Sequence, residues 1–213
     1  IALGFFFFFL NYNSINAFCG GTYTIDPSLA ASATNYKSLI AFTNDLKNTT
    51  RGDAGPAQYA VGGSGVQGSI TVNMSPGTYT GQVLLTAITG VNSSKTVTIN
   101  GNGAIIEFLP TSTTNHGVIE LNGTDYFTIN NLEVRMLGTT YGSCFRIYGA
   151  ADNNTIKNCK LRCDNMNNAS STPLTYSAYI WFNSGTTSVT SSNAGNNNLF
   201  DSLDMRSGNG TSH

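Results

Sequence analysis

Thr128–Arg135 reads TINNLEVR, and Thr155–Arg162 reads TIKNCKLR. Laid over each other at an offset of about 27 residues, Ile129, Leu132 and Val134 fall on Ile156, Cys159 and Leu161. A third copy, NLFDSLDMR, puts Phe200, Leu203 and Met205 in the same columns after a longer insertion. The segment before each copy repeats too. GVIEL, CFRIY and YIWF align Ile119, Phe145 and Ile180, and then Leu121, Ile147 and Phe182. Each unit supplies one short strand, a polar turn and a bent pair of strands. Units of this length stack so that neighbours bury a core that none could bury alone, which is the pattern of a parallel β-solenoid. An antiparallel sandwich is the competing architecture, and INGNG and LNGTD supply hairpin-like turns for it. The columns favour the solenoid, because they stay apolar in every copy with Cys159 as a mild variant. Asn131, Asn158 and Ser202 share one column between the paired strands, where a tight corner needs a polar residue able to bond to the next coil.

The rest of the chain fits one exported, turn-rich β protein. It has 213 residues, enough for a sizeable core, and carries a net charge of −1 with only 10% charged residues. That balance argues against a nucleic-acid or anionic-membrane partner. Ile1–Leu10, IALGFFFFFL, is too short to span a bilayer and is followed by a polar stretch ending at Ala17. Residues 1–17 are expected to be an export signal, incomplete at its start, and 18–68 an N-terminal cap. Residues 69–213 form the repeating coils, expected to continue in a longer protein. A core strand made from the phenylalanine run is the alternative reading of the terminus.

Within the cap, GTYTIDPS is a short β-like entry. NYKSLIAFTNDLK places Tyr36, Leu39, Ile40, Thr43 and Leu46 on one face at helical spacing, so a helix is expected over about 35–47, with Thr34 or Asn35 as N-cap. A Gly-rich loop follows, and its Arg51-Gly52-Asp53 is explained by turn-forming residues rather than by receptor binding. From Ser69 onward period two takes over. Ile70, Val72 and Met74 point inward, then Val83 and Leu85, then Val97 and Ile99. Four cysteines, Cys19, Cys144, Cys159 and Cys163, allow three complete pairings. Buried thiols or one disulfide are expected. Cys159-x-x-x-Cys163 lacks a second ligand pair for zinc, and neither a metal nor a cofactor is expected.

ITVNMSPGTYTGQVLL, TVTINGNGAIIEF and the I-x-N-x-x-[VL] coils resemble right-handed parallel β-helix proteins of the pectin-lyase-like class. The resemblance covers about Gly20–Met205. CGGTYTIDPS, the NYKSLIAFTNDLK segment and the PGTYTGQV coil together resemble the N-terminal part of secreted or surface β-helix proteins of Bacteroidetes-type bacteria. It implies an all-β fold, a right-handed parallel β-helix with an N-terminal capping α-helix, in a protein exported by the type IX route and held at the cell surface by a C-terminal sorting domain.

Two outward ladders are the candidate sites. Glu120, Arg146 and Trp181 occupy one column of the first strand in each unit. An acid, a base and an indole in line suit a sugar-binding groove, and the plainer reading is an exposed salt bridge beside a covered Trp. Arg135, Arg162 and Arg206 form the second ladder, with Glu133, Lys160 and Asp204 two positions back. Stacked guanidinium groups suit an acidic polysaccharide, and the plainer reading is a mixed-charge solvated face. Catalysis is less well supported. Gly81 stands where the pectin methylesterases resembled here carry an acid, Asp125 and Asp152 suit corners, and nothing brings Glu120 and Glu133 together as a hydrolase pair. The expectation is therefore a non-catalytic surface module for adhesion or polysaccharide binding. A lyase or esterase of the same class and a structural spacer are the alternatives.

Overall fold

A computed structural model describes residues 20–58, 65–112, 114–139, 141–165, 177–182 and 195–207. The expected export signal and Cys19 lie outside the described residues. The chain opens with β1 (Gly21–Ile25), β2 (Asn35–Tyr36) and α1 (Leu39–Leu46). It continues as a succession of strand triplets: β3 (Ile70–Met74), β4 (Thr78–Thr80) and β5 (Val83–Thr86); then β6 (Val97–Asn100), β7 (Ile105–Phe108) and β8 (Gly117–Asn122). Next come β9 (Phe127–Asn130), β10 (Glu133–Met136) and β11 (Gly142–Tyr148), then β12 (Thr155–Lys157), β13 (Lys160–Cys163) and β14 (Ser177–Phe182). The pair β15 (Leu199–Asp201) and β16 (Asp204–Ser207) ends the described chain.

Each triplet gives one strand to each of three sheets. The first sheet runs β15-β12-β9-β6-β3-β1-β2, the second β16-β13-β10-β7-β4, and the third β14-β11-β8-β5. Every pairing between these strands is parallel. That rules out the antiparallel sandwich for the described strands. The register matches the columns read from the sequence: Ile156 pairs with Ile129 and Phe200, Leu161 with Val134 and Met205, and Phe145 with Ile119 and Ile180. Inward side chains from all three sheets merge into one hydrophobic cluster, in which Phe127, Phe145, Ile99 and Leu85 are fully buried. The third copy departs from expectation. Met205 is 50% exposed and Phe200 and Leu203 are only partly buried, because β15 and β16 are edge strands with a described neighbour on one side alone.

The corners explain why asparagine is so frequent. Asn131, Asn158 and Ser202 have φ of 52°, 54° and 51°, and Tyr126, Asn153 and Asn197 make a second column at 57°, 58° and 56°. Asn enters this left-handed region at lower cost than most residues. Side chains then bond from turn to turn. Asn100 Nδ2 donates to Asn73 Oδ1, Asn130 to Asn100, and Asn158 to Asn130. The last step shifts to the corner residue because Lys157 occupies the strand position in register with Asn130. At the other corner the Asp125 carboxylate accepts from the Asp152 N–H at 2.7 Å. Asn154, 2% exposed, accepts from the Phe127 N–H at 3.0 Å and donates to Thr124 O at 2.7 Å. Asn154→Ala is expected to lower unfolding free energy by about 1–3 kcal/mol, since it strands two buried backbone groups; a urea midpoint within error of wild type would contradict this.

The cap differs in detail from the sequence reading. The helix spans Leu39–Leu46, not 35–47, and its N-cap is Ser38, whose Oγ accepts from the Ala41 N–H at 3.0 Å. Asn35 and Tyr36 are extended instead, drawn into parallel pairing with Thr24 and Ile25. Tyr36 is still buried, so its agreement with a helical period is fortuitous. Leu39, Phe42 and Leu46 form the helix's buried face, and Ile40 is half-buried. α1 packs against β5, the edge strand of the third sheet, and Lys47 Nζ donates to Leu84 O at 2.8 Å. The helix thereby covers a strand edge that would otherwise present free backbone groups.

Candidate functional site

Glu120 on β8, Arg146 on β11 and Trp181 on β14 share one register column, as the repeat implied. They do not, however, form an open groove. Glu120 is 2% and Arg146 4% exposed, and Trp181 is half-buried. The expectation of an outward ladder is corrected, and so is that of an exposed salt bridge. The reason lies in the segment leading into β8, which crosses over the column. Thr114 O accepts from Arg146 Nη1 at 2.8 Å, and His116 sets its ring edge-on to Trp181 at 5.9 Å. Gly117 permits the crossing: a Cβ there would lie 2.7 Å from Glu120 Cγ and 2.9 Å from Arg146 Cβ.

The buried carboxylate is heavily bonded. Oε1 of Glu120 accepts from the Gly117 N–H at 3.1 Å and from Gln82 Nε2 at 3.2 Å. Oε2 accepts from the Tyr148 hydroxyl at 2.9 Å, and Arg146 Nη1 lies 3.3 Å from both oxygens. The Arg146 guanidinium also stacks 4.3 Å over the Tyr148 ring. With both oxygens engaged and shielded from water, Glu120 is placed to hold the layers together rather than to take a proton from a substrate. Burial, reinforced by the Glu120 carboxylate, pushes the Tyr148 hydroxyl up to about 12, so at neutral pH it donates.

His116, Tyr148 and Gln82 were not anticipated. His116 is fully buried, with Nδ1 3.3 Å from Ser143 Oγ, and burial together with the Arg146 charge lowers its pKa to about 4. In the unfolded chain an imidazole titrates near 6.5. Neutral His116 thus supports the fold fully above about pH 6.5, and that support is lost as pH falls through about 4. Melting temperature is expected to decline across this window in the wild type and to be flatter in His116→Gln. Identical slopes would contradict the assignment. Asp204, whose hydrogen bond from Arg162 lowers its pKa, keeps its contribution across most of this window and loses it only as pH falls below the ordinary carboxylate range.

The second ladder is where the sequence placed it. Arg135, Arg162 and Arg206 are in register on β10, β13 and β16, and Glu133, Lys160 and Asp204 are in register two positions back. The side chains of Arg135, Arg162 and Arg206 are 36%, 14% and 72% exposed respectively. Glu133 Oε1 accepts from Arg135 Nε at 2.6 Å, and Asp204 Oδ1 accepts from Arg206 Nε at 2.8 Å. Both acids engage the guanidinium through Nε, and both arginines remain partly or largely exposed. Arg162 differs, because its Nη1 and Nη2 are spent on Asp204 O and Oδ2, each at 2.8 Å. Lys160 beside it is exposed.

The outer face of the first sheet is uncharged over most of its height. Thr22, Thr71, Thr98, Thr128 and Thr155 form one unbroken column on it, beside the asparagine ladder. A cleft of about 220 Å³ lies between α1 and β4, bordered by Lys37, Ile40, Tyr79 and Gly81. Gly81 has φ +127°, a conformation that strains any side chain, and a Cβ on it would meet Ile40 Cδ1 at 2.7 Å and oblige that methyl to shift. Among the described residues no group of three His, Cys, Asp or Glu is placed to hold a metal ion, and no helix is long and apolar enough to cross a membrane. Comparison of the chain with models of protein families, with curated proteins and with solved structures found no match.

Proposed function

We propose that the chain is part of an exported right-handed parallel β-helix, of the pectin-lyase-like kind its coils resemble, that binds an acidic polysaccharide without cleaving it. The exposed guanidinium ladder on the second sheet carries this reading. Arg135 and Arg206 stand two strands apart, about 9.5 Å, a span comparable to two successive pyranose units. Each is bonded to its acid through Nε and is exposed to solvent, so its terminal donors remain to meet a carboxylate. Lys160 adds a third cation between them. The acid–base set on the third sheet supports the non-catalytic half of the reading, because Glu120 and Arg146 are buried and engaged with each other and with their roof. The strand pairing, parallel throughout with one strand per sheet from each triplet, supports the β-helix.

The arrangement moves the residues of interest. Arg162 is held by Asp204, so Arg135, Lys160 and Arg206 are the contacts to test. Titration with polygalacturonate or alginate, with dextran as neutral control, is expected to give salt-sensitive binding to the acidic polymers alone. Replacing those three residues with Ser is expected to weaken it at least ~10-fold. Trp181→Ala is expected to leave it unchanged. No binding by the wild type sinks the proposal in favour of a spacer. Release of unsaturated or de-esterified product would favour a lyase or esterase.

A further inference from the structure

Cys144 and Cys163 are not neighbours in any strand pair, yet their sulfurs meet. Cys144 is the third residue of β11 in the third sheet, and Cys163 closes β13 in the second sheet, one turn further along the chain. Their Sγ atoms are 3.7 Å apart, and both residues are buried, at 0% and 1% exposed. Cys144 Sγ also lies 3.5 Å from Val134 O and from Arg162 O, so it sits where the edges of two successive turns converge. Cys159, by contrast, directs its thiol to backbone oxygens, 3.2 Å from Lys157 O and 3.7 Å from Ile129 O. In this structure all three are thiols.

We propose that Cys144 and Cys163 are a cross-linking site, oxidised to a disulfide that staples one turn to the next across the junction of the second and third sheets. Bond formation closes about 1.7 Å, from the 3.7 Å thiol contact to the ~2.0 Å of an S–S bond. Thiol–disulfide exchange supplies the chemistry. One cysteine loses its proton and attacks a sulfur of an external disulfide, such as oxidised glutathione or an oxidoreductase disulfide, expelling one thiolate. The second cysteine, deprotonated in turn, attacks the resulting mixed disulfide and expels the other. The protein gains one S–S bond, and the donor carries away both electrons and both protons as two thiols.

Timing follows from burial. Desolvation, aided by the neighbouring thiol, raises the Cys144 pKa well above its ordinary value, which leaves little thiolate in the folded state. The bond therefore forms while this turn is still assembling, and afterwards resists small reductants. The cross-link joins cysteines 19 positions apart in the sequence, and is expected to raise the melting temperature by roughly 6–12 °C over the reduced protein. This is independent of the polysaccharide reading, since neither sulfur touches the outer face.

The full chain, refolded in a glutathione redox buffer, is to be denatured, alkylated without reductant and mapped by mass spectrometry. A linked peptide pair joining Cys144 to Cys163, with Cys159 alkylated, is the expected result. The link should survive Cys159→Ser and vanish in Cys144→Ser, and alkylation of the folded oxidised protein should leave it intact. Alkylation of both Cys144 and Cys163 after oxidative refolding overturns the proposal, as does a dominant link from either to Cys159 or Cys19. Because Cys144→Ser could itself unfold the chain, melting of the wild type refolded with and without dithiothreitol is a second readout. Equal melting temperatures there would overturn the stapling role.

Discussion

Glu120→Ala is expected to destabilise the protein by about 3–5 kcal/mol, the cost of leaving one member of a buried ion pair uncompensated. Removing the carboxylate leaves the Arg146 charge in a site 4% exposed and takes the acceptor from the Gly117 N–H and the Tyr148 hydroxyl. Arg146 cannot relax into solvent, because its guanidinium is held between Thr114 O and the Tyr148 ring. The denaturant midpoint should therefore fall sharply with little change in slope. Glu120→Gln in an Arg146→Met background discriminates charge from shape, since removing both charges together should recover most of the loss. If Glu120→Ala stays within ~1 kcal/mol of wild type, the roofed ion pair is not a structural strut, and an outward, ligand-facing role returns.

Period and register were legible because a stacked fold repeats its constraints in every turn. Ile129, Ile156 and Phe200 fall in one column since each must fill the same layer, and Asn131, Asn158 and Ser202 since each must turn the same corner. The arginine ladder was legible for a similar reason: EVRM and KLRC alternate, and DMRS repeats their first three positions, so the charged positions of the second sheet are read as one outer column. The third sheet was misjudged because its strands do not alternate. GVIELN and GSCFRIY carry apolar residues on both faces, with Val118, Ile119, Cys144 and Phe145 all fully buried. A near-continuous apolar run is the mark of a strand covered on both sides, and that signal could have placed Glu120 and Arg146 inside. What covers them is a non-repeating segment that contributes Thr114 and His116, and no column predicts such a segment. The helix start was missed for a different reason, since Tyr36 satisfies a helical period and a strand pairing equally well, and only the pairing with Ile25 decides it.

Arg51→Ala is expected to be as costly as the loss of Glu120, about 3–5 kcal/mol, and to act on the cap alone. In the sequence Arg51 belongs to an RGD tripeptide in a Gly-rich turn. In the fold its side chain is 2% exposed and holds the turn from within. Nε and Nη2 grip the two Asp53 oxygens, each at 2.9 Å, while Nη1 reaches Ser32 O at 2.9 Å and Pro56 O at 2.7 Å. Nη2 also donates to Asn35 O at 2.9 Å, and the guanidinium lies 3.8 Å from the centre of the Tyr36 ring. Gly55 makes room, for a Cβ there would come within 2.4 Å of Nη2. Tyr36 in turn donates to Asp45 at 2.8 Å, so the guanidinium ties β2, α1 and the turn into one unit. Lysine has neither the planar fork nor the stacking surface, so Arg51→Lys should recover only part of the loss. Hydrogen exchange is expected to accelerate across residues 30–58 in both variants while β6, β9 and β12 of the first sheet stay protected. The same geometry bears on receptor binding, because an arginine enclosed by Ser32, Asn35 and Pro56 cannot reach a receptor pocket without the cap opening. RGD-dependent cell attachment to the folded protein, competed by an RGD peptide, would show that Arg51 leaves this position and that its enclosure is not what holds the cap.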